Sequence, residues 1–207
     1  MPKVSQAHLD ARRQQILDAA AACFYRKGFH LSTMQDICKE ADLSPGAVYR
    51  YFASKDDIIK AISEENRNNS IRMIGQMRQG VENYRVFLDQ LVDAFFRMID
   101  EFDQHPAKLN IEIWAETFRN ERVRTMQSET FKAYEQVFGG FLRDGQKAGY
   151  FQPDIDPDSF GRILISFFDG LLVQKAVDPT VDVWAYVETI KKITSSIHCE
   201  PEHATVA

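Results

Sequence analysis

The sequence predicts an all-α protein: an N-terminal three-helix domain of helix-turn-helix type, followed by a larger helical domain. Three observations carry that expectation. Apolar residues recur at three- and four-residue spacing along nearly all of the 207 residues, and no segment alternates as a half-buried strand would. Helix signals punctuate the chain: Ser, Thr or Asp at starts, Pro in first turns, Gly after a basic end. Two short helical periods, 33–41 and 44–52, are joined by a turn too tight for an independent helical hairpin. They must therefore cross steeply.

Taken in order, the first helix carries Ile16, Ala20, Cys23 and Phe24 on one stripe and stops at Lys27-Gly28, a C-terminal signal. The second starts at Thr33 with Asp36 three residues on, the spacing of a capping box. Its inward face is Met34, Ile37, Cys38 and Ala41. After Asp42-Leu43, Ser44 can cap a third helix with Pro45 at its first position. A fourth helix follows from Ser54 to about Arg78, with Asp57 near its start and Ile58, Ile59 and Ile62 inward. The expected division is a helix-turn-helix domain over 1–62, with 54–78 as linking helix, and a larger helical domain over 63–198. Residues 199–207 read as a disordered tail.

The larger domain opens with a helix showing Leu88, Leu91, Val92, Phe95, Ile99 and Phe102 on one face, ending before Pro106. Ile111, Trp114, Ala115 and Phe118 mark the next. A long helix from about Val123 to Lys147 places Phe131, Tyr134, Phe138 and Phe141 inside. Beyond a turn-rich loop, Asp156 caps a helix with a wide apolar face: Phe160, Ile163, Leu164, Phe167, Phe168, Leu171 and Leu172. The last helix runs from Asp182 to about Ile197.

Composition narrows the function. At 44% hydrophobic and 27% charged residues, the chain reads as an ordinary soluble globular protein. No stretch approaches the roughly 20 apolar residues of a membrane span. Met1 to Gln6 lacks the apolar core of a signal peptide, so a cytoplasmic location and no membrane partner are expected. Net charge is -5, which argues weakly against a nucleic-acid partner. Its distribution argues the other way: residues 1–60 hold nine Lys/Arg against seven Asp/Glu, so the basic part is N-terminal.

Catalytic readings find little support. There is no GxGxxG, P-loop, HExxH or nucleophile elbow, so neither an enzyme nor a cofactor is expected. Cys23 and Cys38 fall on apolar helix faces and read as small buried hydrophobes. His198, Cys199 and His203 lack a fourth ligand at chelating spacing, so no metal is expected.

The third helix has only Val48 and Phe52 to bury. Gly46 and Arg50 then point away from the core, with Ala47, Tyr49 and Tyr51 on the flanks. Small residues at the helix start let backbone approach base edges, and Ala47 can meet a thymine methyl. Arg50 can reach guanine or phosphate. Tyrosine hydroxyls suit phosphate oxygens, which position a protein without reading sequence. Thr33 and Lys55, at helix N-termini, add donors where the dipole favours anions.

The run Thr33 to Ala41 (TMQDICKEA), then Leu43 to Lys55 (LSPGAVYRYFASK), resembles the DNA-binding signature of the TetR family, with a match over about residues 10–62. Ile113-Trp114-Ala115-Glu116, Gly145 to Gly149 and Phe168-Asp169-Gly170-Leu171 resemble the BetI-type and AcrR-type repressors of that family. The resemblance implies a homodimer whose third helices enter the major groove of a palindromic operator, and a small effector that releases the DNA. By position it implies DNA contacts from Thr33, Ser44, Pro45, Gly46, Ala47, Tyr49, Arg50, Tyr51 and Lys55. Pro, Gly and Ala at base-reading positions offer few hydrogen bonds. Specificity would then lean on Arg50, apolar contacts, DNA shape and the segment around Arg12 and Arg13.

A two-fold dimer needs a self-complementary apolar patch. The expected interface is Phe160, Ile163, Leu164, Phe167 and Leu171 of one helix with Val183, Val187 and Ile190 of the last. Phe95, Phe102, Trp114, Phe118, Tyr134, Phe138 and Phe168 could line an apolar ligand pocket, although each alone reads equally as core. Glu112, Glu116 and Asp169 beside them could suit a cationic ligand, or could simply face water. The leading function is a ligand-responsive repressor, with the fourth helix as lever. The alternative is an architectural or adaptor protein that binds DNA without a small effector.

Overall fold

The computed structural model describes residues 5–81, 83–100 and 107–199, without the side chains of 107 and 108. Its helices are α1 (Gln6–Lys27), α2 (Met34–Glu40), α3 (Pro45–Tyr49), α4 (Lys55–Met77), α5 (Tyr84–Asp100), α6 (Ala107–Thr117), α7 (Glu121–Lys147), α8 (Pro157–Val177) and α9 (Val183–Ser195). Among the described residues the β pairing is one isolated antiparallel bridge, Phe151 with His198. No described helix is long and apolar enough to cross a membrane.

The cap residues act where the sequence places them. Thr33 accepts from the Asp36 amide, and the Asp36 carboxylate accepts in return from the Thr33 amide at 3.0 Å. Lys27 donates to the same carboxylate at 2.6 Å. That hydrogen bond, followed by those from Thr33, holds Asp36 well below the usual carboxylate range. Thr33→Ala removes the cap and is expected to cost about 0.5–2 kcal/mol, readable as a lower urea midpoint with an unchanged slope.

The α2–α3 turn closes as a Schellman motif. The Leu43 amide reaches the Cys38 carbonyl and the Asp42 amide reaches that of Lys39. Asp42 sits at φ 52, a left-handed conformation that Asp is one of the few non-glycine residues to visit. Ser44 caps α3 with Pro45 at its first turn. The helix ends sooner than the expected 44–52. After Tyr49 the amides of Tyr51 and Phe52 both fold onto the Val48 carbonyl, which tightens the last turn and tucks Phe52 into the core.

The chain divides into two compact units, Met1–Asn68 with Lys108–Gln127, and Asn69–Ala107 with Ser128–Ala207. An apolar cluster holds the first together. It joins Ile16, Leu17, Phe24, Ile37, Val48, Phe52, Ile58 and Ile59 to Leu109, Ile113, Val123 and Met126. The three-helix module therefore shares its core with residues far along the chain. Cys23 and Cys38 lie in the same cluster as free thiols, and burial raises both above the ordinary thiol range. This is the small-hydrophobe role expected of them.

The buried face of α6 corrects the expected one. Leu109, Ile113 and Thr117 are buried, whereas Ala115 is exposed and Phe118 is 77% exposed. Ile111 and Trp114 are half-buried. The face is chosen by the N-terminal cluster it completes, a long-range partner that local periodicity does not contain.

In the second unit α5 packs against α8 and α9. Phe87, Leu88, Leu91, Phe96 and Ile99 of α5 are buried there, as are Phe138, Phe141, Phe160, Leu171, Val187 and Ile190. Lys191 pairs with Asp93 at 2.6 Å, and the Trp184 indole donates to Asp100 at 2.9 Å. The chain after α9 returns to the α7–α8 loop: Gln152 donates to the Ile197 carbonyl and Cys199 to that of Tyr150. Cys199, expected to begin a disordered tail, is thus hydrogen-bonded. Residues 200–207, His203 included, lie outside the described residues.

Candidate nucleic-acid interface

α3 buries Val48 and presents the opposite side. Ser44, Pro45, Gly46 and Arg50 are exposed, Tyr49 is 52% exposed, and Ala47 is half-buried. Nothing lies within 4 Å of where a Gly46 Cβ would stand, so the helix start is open to a close approach from outside. Tyr51, expected on the exposed flank, is half-buried and packs on the core cluster. Arg12 bonds Gln15 at 2.8 Å, and Arg13 lies over the Phe52 ring at 5.6 Å. Both sit within α1 rather than on an extended arm.

Several polar groups assigned to DNA by position serve the fold. The Ser44 hydroxyl accepts from Ala47, and the Thr33 hydroxyl donates to Asp36. Lys55 Nζ donates to the carbonyls of Phe29, His30 and Ser32 at 2.8, 3.1 and 3.2 Å. Arg26 pairs with Glu40 at 2.7 Å. The exposed residues of this stretch are Ser44, Pro45, Gly46, Tyr49 and Arg50.

Of the expected pocket residues, the structure brings four together. Phe95 meets Tyr134, Phe138 and Phe168 edge-on at 6.5, 5.9 and 6.0 Å. Phe96 and Tyr186 extend this cluster, and neither was singled out from the sequence. Trp114 and Phe118 belong to the other unit and face each other at 6.5 Å. Phe102 lies outside the described residues. Glu112 and Glu116 also belong to the N-terminal unit: Glu112 accepts from the Phe29 amide at 3.0 Å, and Glu116 lies 3.9 Å from the His30 ring. Neither acid joins the aromatic cluster.

Of the expected dimer residues, Phe160, Leu171, Val183, Val187 and Ile190 are already buried inside the subunit, where a partner cannot cover them further. They belong to the subunit's own core. Ile163 is exposed, with Leu164 and Phe167 half-buried. Val173 and Val177 of α8 and Trp184 and Ile193 of α9 are exposed as well.

Comparison with known proteins agrees with this geometry. Residues 16–62 match the family model for bacterial regulatory proteins of the tetR family, and residues 85–197 match that for the C-terminal part of BetI-type transcriptional repressors. The chain belongs to the TetR family. It is 32% identical to the HTH-type transcriptional regulator UidR of Escherichia coli K12 over 81% of this chain and 83% of that one. It is 28% identical to the nicotine-responsive transcriptional repressor HdnoR of Paenarthrobacter nicotinovorans over 82% of this chain and 86% of the other. Among solved structures, Salmonella enterica GusR superposes with a TM-score of 0.78 at 27% identity, covering 94% of this chain and 97% of its own.

As a TetR-family member, the chain is a helix-turn-helix, DNA-binding transcription regulator. Two features of its site escape sequence reasoning. The loop anchored by Lys55 is invisible because three unpaired carbonyls leave no mark on side-chain periodicity. The carboxylate of Glu112 reaches the same loop from α6, and only the long-range fold brings it there.

Proposed function

We propose that this TetR-family chain is a homodimeric, sequence-specific repressor that reads a palindromic operator and is released by a small, mostly apolar effector. It acts in the cytoplasm and has no catalytic role. The observation that carries the reading is the outward face of α3: an unobstructed start at Gly46, followed by Tyr49 and Arg50 pointing to solvent. Two such helices related by a two-fold axis fit half-sites about one helical turn apart.

DNA contacts are assigned to Pro45, Gly46, Ala47, Tyr49 and Arg50, with Thr33 and Ser44 contributing at helix N-termini. The dimer face is assigned to Ile163, Leu164 and Phe167 together with exposed Val173, Val177 and Ile193. Ile163, Val173, Val177 and Ile193 are exposed in the single subunit and Leu164 and Phe167 only half-buried, a condition that marks an interface. The effector site is assigned to the cluster of Phe95, Phe96, Tyr134, Phe138, Phe168 and Tyr186. The similarity to a nicotine-responsive repressor supports a small-molecule response.

The test is selection of the purified protein on random duplex DNA, with sequencing of the bound pool. The reading expects an inverted repeat, and a sedimenting species of twice the 23.8 kDa chain mass. A folded protein that recovers no motif at moderate salt would overturn it in favour of an architectural role.

A further inference from the structure

We propose that Arg119, Arg122 and Arg124, at the corner between α6 and α7, form a second DNA contact that grips backbone phosphates beside each half-site without reading sequence. The proposal rests on the DNA-binding reading above and adds to it a surface outside the helix-turn-helix.

The chain as a whole is acidic, with 25 Lys/Arg against 30 Asp/Glu. Residues 119–124 (RNERVR) reverse that balance, with three arginines to one glutamate. All three arginines are exposed, and their guanidinium groups hold no hydrogen bond or ion pair among the described residues. Other arginines of the same unit are engaged: Arg12 by Gln15, Arg13 by Glu65 and Arg26 by Glu40. Like charges held this close repel one another, a cost that an anionic partner relieves. A guanidinium presents its donors in a rigid fork that matches a phosphate group.

Asn120 fixes the corner in place. Its side-chain oxygen accepts from the amides of Arg122 and Val123 at 3.0 and 3.4 Å, a cap on the first turn of α7. Its side-chain nitrogen donates to Asp56, in the first turn of α4, at 3.2 Å. Val123 and Met126 then enter the apolar cluster of the helix-turn-helix, with Arg122 and Arg124 on either side of Val123. The preceding helix follows the α1–α2 loop: Glu112 accepts from the Phe29 amide at 3.0 Å, and Glu116 lies 3.9 Å from the His30 ring. The corner therefore stands in the same compact unit as α3, beside the N-terminus of α4.

DNA suits this position better than an acidic protein does. A duplex carries one negative charge per about 1.7 Å of its axis, so phosphates continue past the edges of a helix-turn-helix seated in one groove. A cationic surface on that unit can meet them without a further partner.

The full-length protein is compared with a triple variant carrying Arg119→Gln, Arg122→Gln and Arg124→Gln, and with the same three positions changed to lysine. A control carries Arg97→Gln, Lys132→Gln and Lys147→Gln. Those three are exposed cations of the second unit, so the control loses the same charge elsewhere. Affinity for the duplex recovered by selection, and for its single-base variants, is measured across a salt series, with thermal melts to check the fold. Each phosphate contact contributes about 0.9 to the slope of log affinity against log salt. With one contact from each subunit of a dimer, the glutamine triple at the corner is expected to lower the slope by about two. It should weaken every duplex alike, by roughly ten- to hundredfold at moderate salt. The lysine triple keeps the charge and should keep the slope, as should the control.

A wild-type slope for the glutamine triple overturns the proposal. An equal drop in the control overturns it too, because the effect is then one of net charge rather than of the corner. Loss of slope in the lysine triple contradicts it as well, since charge is then not what the corner supplies. A wild-type protein that recovers no inverted repeat sinks the sequence-specific reading instead, and the slopes on generic duplex still decide the corner.

Discussion

Ile113→Ala is expected to melt the DNA-binding unit, although α4 and α5 separate the residue in sequence from the helix-turn-helix. Ile113 is buried in the cluster that holds Phe24, Ile37, Val48 and Ile58. Truncating a fully packed isoleucine to alanine costs about 2–5 kcal/mol through lost burial and the cavity left behind. That is a large share of the roughly 5–15 kcal/mol that keeps an ordinary domain folded. Chemical denaturation should show the loss, and affinity for the selected duplex should fall with it. Phe118→Ala, one residue beyond the same helix, is the control. Its ring is 77% exposed, so stability should change by no more than about 0.5 kcal/mol. Equal costs for the two substitutions would contradict the shared core.

Gly145→Ala is expected to damage the second unit almost as much by the opposite route. A Cβ on Gly145 would clash with two ring carbons of Phe151 and stand 3.0 Å from Tyr84. Phe151 has little freedom to retreat. It is buried, packs on Phe141 at 5.5 Å and on His198 at 5.0 Å, and lies in the stretch paired with the chain after α9. Overpacking of this kind costs about 1–3 kcal/mol, and the rigid surroundings place Gly145 at the upper end. At about 2–4 °C per kcal/mol for a chain of this size, the melting temperature should drop by roughly 6–12 °C. Exchange of the Gln152 and Cys199 amides should accelerate in step. A melting temperature within about 1 °C of wild type would show that Phe151 can move aside.

These two positions mark where sequence reading stops. Features set by neighbours three or four residues away were legible: the Thr33–Asp36 box, the Ser44-Pro45 start, the Asp156 cap, and the stripe of α1. The all-α architecture followed from them, and the family from the resemblance carried by the runs Thr33–Ala41 and Leu43–Lys55. The inward face of α6 was not legible. Ile111, Trp114, Ala115 and Phe118 form a good apolar stripe, yet the face that wins carries Leu109 and Ile113, because the N-terminal cluster has room for them. The residues expected at a dimer face raise a related point, since several of them are buried in the single subunit. Phe160, Leu171, Val187 and Ile190 are apolar enough for an interface, and periodicity alone cannot distinguish a partner subunit from α5. Lys55 matched a DNA-contacting position by motif, while its three carbonyl partners belong to a loop of no regular pattern.

The measurement that tests the central claim most directly is the binding of wild-type protein, Tyr49→Ala and Arg50→Ala to the selected duplex and to a panel of its single-base variants. α3 as the reading element predicts that Arg50→Ala loses about 1–3 kcal/mol and its preference at one base pair per half-site. Tyr49→Ala should weaken every duplex alike, as loss of a phosphate contact does. If both variants bind and discriminate as the wild type does, α3 is not the element that reads DNA.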